Sequence, residues 1–519
     1  MKGFRIISLS LNKHPILGTN EFKFYDGDDK DTGSPYFTIL IGPNGTGKSE
    51  ILRCLLLIFK DLYQHLAGFD FKHLHFFYEL NYILDSVVYK YTNTSGGKLI
   101  FLAETTNRYS KGKLFKEDGG LIDYNSDDYF KVFPLQIVTQ SIMMTDKFFV
   151  PRNSDDMLRF APYHYLGIRN RPQQSSTGYY VRRTVELIIK AVKEKYFKKG
   201  IEKLVKYIDS TGSFIIQYKT SNTKKFWNGE LTAEDLIEYF DEIESKYLNK
   251  QAPYKLSHFN SLKKNSVALV NIVEFINRLY NKSLLKHISK SSAKYLNFDL
   301  RNDEEMDFLE KNQLNIDWLR KIGVLSLPTI KFSDKDVELQ KASSGEFHLF
   351  TTMIGLMASI RKNSLVIIDE PEISLHPNWQ MRYIQFIREL FDETDRVTSH
   401  LIIATHSHFL ISDLPGENSN IIGLKKKDGE IESIEINKDT YGWSAEQVLL
   451  DVFEVSTTRN YVVAERLGIL LDLIGKENSS KEEVKEKFFE LNMDKLGNLP
   501  NEDPLKFAYD IILKEYIND

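Results

Sequence analysis

The sequence predicts an α/β protein whose central sheet is assembled from segments far apart in the chain, and three observations point there. Tyr36 to Ile41 reads as an apolar strand that runs into Gly42-Pro43-Asn44-Gly45-Thr46-Gly47-Lys48-Ser49, after which Ile51, Leu55, Ile58 and Leu62 recur at helical spacing. Leu365-Val366-Ile367-Ile368 is a second buried-strand run, ending in Asp369-Glu370. Leu401-Ile402-Ile403-Ala404 is a third, ending in Thr405-His406-Ser407. Strands that alternate with helices and present polar residues at their ends are the pattern of layered α/β folds.

Taken in order, Phe4 to Leu11 and Glu21 to Tyr25 read as strands, and turn formers at Asp26-Gly27-Asp28-Asp29 and Thr32-Gly33-Ser34-Pro35 precede the strand at Tyr36. The region from 66 to 150 mixes aromatic-rich strands with polar turns. Pro134 to Ser141 reads there as a core strand with a polar tip. Apolar residues spaced by three and four from Thr184 to Ile208, and again from Ser261 to Lys286, predict amphipathic helices, and proline is absent from Lys255 to Leu327. Strand and helix alternation resumes near Ile330. Two short strands around Lys427-Asp428-Gly429 then lead to charged helices. The expected organisation is 1–150 as the first half of the core, with an N-terminal antiparallel β portion, and 151–325 as a mainly helical, basic insert. Residues 326–420 would be the second half of the core and 421–519 an α/β extension.

Composition narrows the function classes. With 519 residues and 42% hydrophobic content the chain can bury an ordinary core in each of two or three domains. No apolar run approaches the roughly 18 to 20 residues of a membrane-spanning helix, and Met1 to Ile7 alternates as a strand does and not as an export signal. The single cysteine, Cys54, points to a reducing compartment, so a cytoplasmic location is expected. Net charge is −4, from 68 basic and 72 acidic residues, which argues against a general nucleic-acid coat. Locally the balance differs: Arg182 to Lys225 holds 12 Lys/Arg against 4 Asp/Glu, and Lys255 to Leu300 holds 8 against 2.

Gly42-x-x-x-x-Gly47-Lys48-Ser49 has the spacing of a P-loop, in which the backbone N–H groups of Asn44, Gly45 and Gly47 can curl round phosphate oxygens. Lys48 would reach the β- and γ-phosphates of ATP, Ser49 would bind Mg²⁺ through its hydroxyl, and the following helix would point its positive end at the phosphates. Asp369 and Glu370 have the Walker B arrangement: Asp369 helps hold Mg²⁺, and Glu370 stands where a base polarises the attacking water. Lys341-Ala342-Ser343-Ser344-Gly345-Glu346 precedes this strand, and by itself reads as a helix cap.

In the company of those motifs, Ser343 to Glu346 resembles the signature segment of ABC/SMC-type ATPases, with Ser344 in place of that segment's first glycine. The resemblance implies that Ser343 and Gly345 bind the γ-phosphate of nucleotide held by a partner subunit. It further implies that Ile373-Ser374-Leu375-His376-Pro377 is a D-loop and that His406, at the tip of an H-loop, contacts the γ-phosphate. A Q-loop glutamine that binds Mg²⁺ is implied as well, with Gln140 the candidate and Gln136 a rival facing the same way. Signature and P-loop lie 294 positions apart, far less than the arms of an SMC protein need. The chain is therefore similar to the compact, arm-less ATPases of bacterial antiphage systems, of Septu, PARIS and overcoming-lysogenization-defect type. Tyr163 to Arg169 and Tyr441 to Phe453 look like segments of Septu-type ATPases.

What the resemblance implies is an ATP-hydrolysing dimer that senses nucleic acid or a phage product and controls an effector nuclease encoded separately, since no nuclease motif is found in the chain. A RecF-like DNA-repair ATPase and an ATP-locked structural scaffold are the alternatives. Lysines of the insert would contact phosphates in the first reading and form a solvated helical face in the bland one.

Overall fold

The computed structural model describes residues 3–25, 27, 35–69, 74–94, 112–122, 131–171, 174–208, 211–221, 224–245, 255–281, 285–287, 294–334, 337–391, 395–412, 414, 418–436, 440, 442–451, 461–475, 480–499 and 503–517. It forms two compact units, Met1–Gly442 and Trp443–Asp519. Among the described residues no helix is long and apolar enough to cross a membrane.

The first unit is built round a seven-stranded sheet in the order Glu430–Glu435, Ser419–Lys427, Tyr36–Ile41, His400–Ala404, Leu365–Asp369, Ile137–Ser141 and Tyr163–Tyr165. Neighbours run parallel except the Glu430–Glu435 edge, so the sheet is mixed. The strands ending at Ile41, Ser141, Asp369 and Ala404 are buried along their whole length, as a sheet covered on both faces requires. Their register sets Leu40, Ala404, Asp369 and Ser141 level with one another, so the polar tips emerge together at the carboxyl ends of the strands.

The helix Lys48–Leu66 packs one face of this sheet through Ile51, Leu55, Phe59 and Leu62 against Ile367, Ile402 and Ala404. An antiparallel sheet, Gly18–Lys23, Arg5–His14, Phe77–Leu84, Val87–Thr92 and Lys113–Lys116, closes over the same helix. Its aromatic residues explain the composition of that region. Phe4 meets Phe59 edge-on at 5.8 Å, and the hydroxyls of Tyr78 and Tyr91 donate to the buried Asp61 at 2.8 and 2.6 Å.

The helices Thr177–Ala191 and Lys195–Tyr207 cover the stretch read as helical from Thr184 to Ile208, and Lys255–Lys263 and Ser266–Asn281 cover most of that from Ser261 to Lys286, whose end, Leu285–His287, is a strand instead. Strands join them. Leu285–His287, Lys294–Asp299, Phe214–Lys219, Thr329–Phe332 and Val337–Glu338 form a second five-stranded antiparallel sheet. The strand at Ile330, read as the resumption of the core, therefore belongs to the insert. The insert is less helical than its lysine-rich sequence suggests, because these short strands pair across long stretches of chain and leave no local periodicity to read. Its charge is also partly answered from within: Lys193 pairs with Asp307 and Glu310, Lys198 with Asp303, and Lys263 with Asp241 and Glu244.

Ser419–Lys427 and Glu430–Glu435 are strands of the central sheet rather than of a separate extension, since Ile421, Ile422 and Leu424 are buried and pair with the strand at Tyr36 or lie beside it. The second unit is helical, with its own small core of Leu470, Val484, Phe488, Met493, Tyr509, Ile512 and Ile517.

Beyond the strand Ile137–Ser141 the chain is pinned by a buried ion pair. The fully enclosed Asp146 carboxylate accepts from Arg169 Nε at 2.9 Å, from the Tyr165 hydroxyl at 2.7 Å and from Phe148 N at 2.9 Å. Both Tyr165 and Arg169 come from the Tyr163 to Arg169 segment that the sequence singled out. Asp146→Ala leaves the Arg169 guanidinium buried without its counter-charge, and a loss of about 3–5 kcal/mol in urea-denaturation stability is expected.

Candidate functional site

The loop between Ile41 and Lys48 works only with glycine at two of its positions. Gly47 has φ 87°, and a Cβ there would lie 2.4 Å from Leu17 Cδ2; at Gly42 a Cβ would lie 2.4 Å from the Leu424 carbonyl oxygen. Asn44 and Gly45 are exposed at the tip. Lys48 is buried and folds back, its Nζ donating to the Gly42 carbonyl at 2.8 Å and to that of Pro43 at 3.2 Å. Burial lowers its pKa to about 8 against the opposing pull of Glu370, Asp369 and Glu372.

Across from the loop, Ser49 Oγ donates to Asp369 Oδ1 at 3.1 Å. Asp369 is 1% exposed, and burial, with the carboxylates of Glu370, Asp146 and Glu372 nearby, raises its pKa to about 7. A buried acid beside a hydroxyl is a hard-oxygen donor set suited to Mg²⁺. Glu370 follows with φ 50°, a left-handed conformation unusual for its type. His406 Nε2 lies 3.6 Å from Glu370 Oε1, and burial, then Lys48, lowers the imidazole pKa. The fold thus brings Lys48, Ser49, Asp369, Glu370 and His406 together.

Gln140 does not join them. In parallel strands, residues in register share a face, so Ser141 faces the same way as Asp369 while Gln140 faces the same way as Ile368. Its Nε2 donates to Thr352 Oγ1 at 3.3 Å, on the helix Ser344–Ser359 that covers the opposite side of the sheet. Gln136, four positions earlier, shares that parity. Ser141 holds the position on the Asp369 side, and its Oγ accepts from Met143 N at 3.2 Å.

Ser343 and Gly345 sit apart from their own P-loop. Ser343 is exposed and forms a reciprocal capping box with Glu346, and among the described residues it makes no hydrogen bond to the loop. Gly345 is pressed on the segment Ile373 to Pro377: a Cβ there would come within 2.5 Å of the Ser374 carbonyl oxygen, and Ser374 itself has φ 67°. His376 caps the short helix Pro377–Gln380, its Nδ1 accepting from Asn378 N at 3.3 Å, which is a structural role.

Sequence reasoning missed three contributors. Glu372 accepts from the His406 backbone N–H at 2.6 Å and ties the segment after Ala404 to that after Asp369; the acid two places beyond Glu370 was its signal. Glu50, next to Ser49, accepts from Arg53 and from Lys147, each at 2.8 Å. Ser407 Oγ donates to Gln380 Oε1 at 2.7 Å, and Gln380 Nε2 in turn donates to the Leu375 carbonyl at 2.9 Å. His14, Glu50 and Cys54 also cluster with ligand atoms within 4.8 Å of one another. They do not suit a metal. His14 Nδ1 accepts from the backbone N–H groups of Ile16 and Leu17 at 3.2 and 3.1 Å, which leaves the ring proton on Nε2, facing Cys54 Sγ at 3.3 Å.

A glycine loop between a parallel strand and a helix, with a hydroxyl and paired acids converging on its mouth, defines a P-loop nucleotide-binding protein. The chain belongs to the AAA ATPase domain family, whose model matches residues 26–411. It is 27% identical to the Septu protein PtuA of Bacillus thuringiensis over 129 residues, 24% of this chain and 30% of that protein. Over 240 residues, 37% of this chain and 45% of the relative, it is 22% identical to the retron Vc95 probable ATPase of Vibrio cholerae serotype O1 biovar El Tor. The chain spans less than half the length of either relative. A solved structure from work on ATP-driven dimerization and DNA-stimulated activation of SMC ATPases is 18% identical over 27% of this chain and 78% of that one, at a TM-score of 0.20; the strand order above, and not this likeness, defines the fold.

The raised Asp369 pKa gives a pH dependence of known sign. Below about 7 the carboxyl is protonated and offers Mg²⁺ no charge, so affinity for Mg²⁺·ATP rises with pH, by about fivefold from pH 6 to pH 7, and turns over above about 8 as Lys48 loses its proton. Calorimetric titration of wild type against Asp369→Asn isolates the lower limb, which the variant abolishes.

Proposed function

We propose that this chain binds Mg²⁺·ATP and hydrolyses it as a dimer, each copy lending its Ser343 and Gly345 to the nucleotide on the other, and that its nucleotide state controls an effector nuclease in defence against phage. The observation that carries the reading is the division of the site. Lys48, Ser49, Asp369, Glu370 and His406 gather at the strand ends, while Ser343 stands exposed and unbonded to its own P-loop.

In this reading Asn44, Gly45 and Gly47 wrap the phosphates with backbone N–H groups, and Lys48 exchanges the Gly42 and Pro43 carbonyls for phosphate oxygens. Ser49 and Asp369 would hold Mg²⁺, which supplies neutralisation of the phosphate charge. Glu370 takes the proton of the attacking water, and His406, 3.6 Å from Glu370, orients it and faces the γ-phosphate. Gln140 enters this scheme only if it leaves Thr352. The Septu likeness supports the defence assignment and the separate nuclease. Nucleic acid is a narrower proposal than the charge count alone suggests, because Lys193, Lys198 and Lys263 are already paired within the insert.

Glu370→Gln should trap an ATP-bound dimer, so light scattering after size exclusion should double the mass with ATP and Mg²⁺ and find the nuclease co-purifying from the native host. A monomer indifferent to ATP would refute the shared site. Lys48→Ala should weaken ATP binding at least about tenfold to a hundredfold, measured by calorimetry, since it removes a charge-assisted phosphate contact.

A further inference from the structure

Next to the acids of the nucleotide site lie a buried donor and a buried acceptor, neither of them satisfied. Tyr383 opens the helix Tyr383–Phe391 and is 1% exposed, yet its hydroxyl has no hydrogen-bond partner among the described residues. Glu372 accepts from the His406 backbone N–H at 2.6 Å through Oε1, while its Oε2 is enclosed and without a partner among the described residues. A polar atom buried in this way costs about as much free energy as the bond it lacks contributes, so each oxygen points to a group that completes it. The two needs are complementary: a phenol donates and a carboxylate oxygen accepts.

The surroundings single out this pair. Burial raises the Tyr383 pKa, and Tyr207, Glu372 and Tyr180 raise it further, which places those three groups round the hydroxyl. Two of the three are engaged elsewhere: the Tyr207 hydroxyl donates to the Trp379 carbonyl at 2.5 Å, and that of Tyr180 to the Leu166 carbonyl at 3.4 Å. Glu372 is the charged one, and an ionised oxygen accepts about twice as strongly as a neutral one. Burial raises the Glu372 pKa against the pull of the His406 N–H and the Thr405 hydroxyl, neither of which bonds Oε2. Tyr383 and Glu372 do not bond directly, and one enclosed water between them, with a donor on one side and an acceptor on the other, satisfies both.

What this link would hold is the histidine. Glu372 fixes the His406 backbone, and the His406 ring stands with Nε2 3.6 Å from Glu370 Oε1. Small displacements of a group near the reacting atoms are expensive, so a carboxylate gripped at both oxygens places the ring better than one gripped at a single oxygen.

We propose that Tyr383 is a positioning residue of the ATP site: through one bound water its hydroxyl holds the second oxygen of Glu372, and so sets the His406 ring against Glu370. The link itself stands on the buried groups alone; its effect on turnover rests on the nucleotide reading above.

Hydrogen exchange followed by mass spectrometry, on the full chain without nucleotide, tests the link. Tyr383→Phe keeps the ring and is expected to speed exchange at the His406 amide about fivefold or more, with the strands Leu365–Asp369 and His400–Ala404 unchanged. Equal exchange at His406 in wild type and variant overturns the link, and so does faster exchange throughout the first unit, which reports a weakened fold and not one lost bond. Turnover tests the consequence. In Tyr383→Phe kcat should fall about fivefold to tenfold while KM for ATP stays within about twofold. Glu372→Gln, which keeps an acceptor for the His406 N–H, should retain at least about fivefold more rate than Glu372→Leu, and adding Tyr383→Phe to Glu372→Leu should lower kcat no further. A raised KM with unchanged kcat, or losses that add in the double variant, overturns the positioning role. Absence of turnover in wild type under every condition overturns the nucleotide reading and the effect on rate with it, while hydrogen exchange decides the link independently.

Discussion

The parallel register of four buried strands is the constraint on which the rest depends. Leu40, Ala404, Asp369 and Ser141 stand level, so the loop at Gly42, the acids at Asp369 and Glu370 and the histidine at His406 leave the sheet at one edge. A slip of one residue in the strand Leu365–Asp369 would turn Asp369 to the far face and break its contact with Ser49. The hydrophobic runs secure the register, since each strand is buried throughout and has no second way to satisfy both covering layers. The polar site is thereby positioned by apolar packing, and its cost, a buried acid with a raised pKa and a strained Glu370, is carried by the sheet.

Much of this was legible in the residues because the motifs sit where two signals coincide, an apolar run and a polar tip. The loop at Gly42, the acids after Ile368 and the histidine after Ala404 were all readable in that way. Gln140 was not, because its assignment needed the face of a strand, and a run such as Ile137-Val138-Thr139-Gln140-Ser141 leaves its parity unmarked until the neighbouring strand fixes it. The insert's sheet escaped for a related reason. Phe214–Lys219 and Lys294–Asp299 find their partners across a long stretch of helices, and pairing at that distance leaves no local periodicity to read. The strands at Ser419 and Glu430 were seen as strands but assigned to the extension, since only their burial beside the strand at Tyr36 shows which sheet they complete.

The insert and the core meet through helices that share residues with both. Tyr180 of the helix Thr177–Ala191 meets Phe347 of Ser344–Ser359 at 5.7 Å, and Arg183 donates to the carbonyls of Tyr165 and Gly167, in the segment whose Arg169 holds Asp146. Lys147, next in the chain, reaches the other way to Glu50 beside Ser49. Two adjacent side chains thus fasten the loop after Ser141 to both halves of the first unit. A basic stretch that looks like a phosphate-binding surface in sequence spends several of its charges on this internal construction.

The contact between Gly345 and Ser374 has a consequence for how such a chain can diverge. With no room for even a methyl group between them, the segment after Ser343 and the segment after Glu370 cannot drift separately. A bulkier residue at one demands a new backbone path at the other, so the two stretches should be inherited as a block. Anyone grafting one of these two segments from a relative would do best to take the other from the same parent.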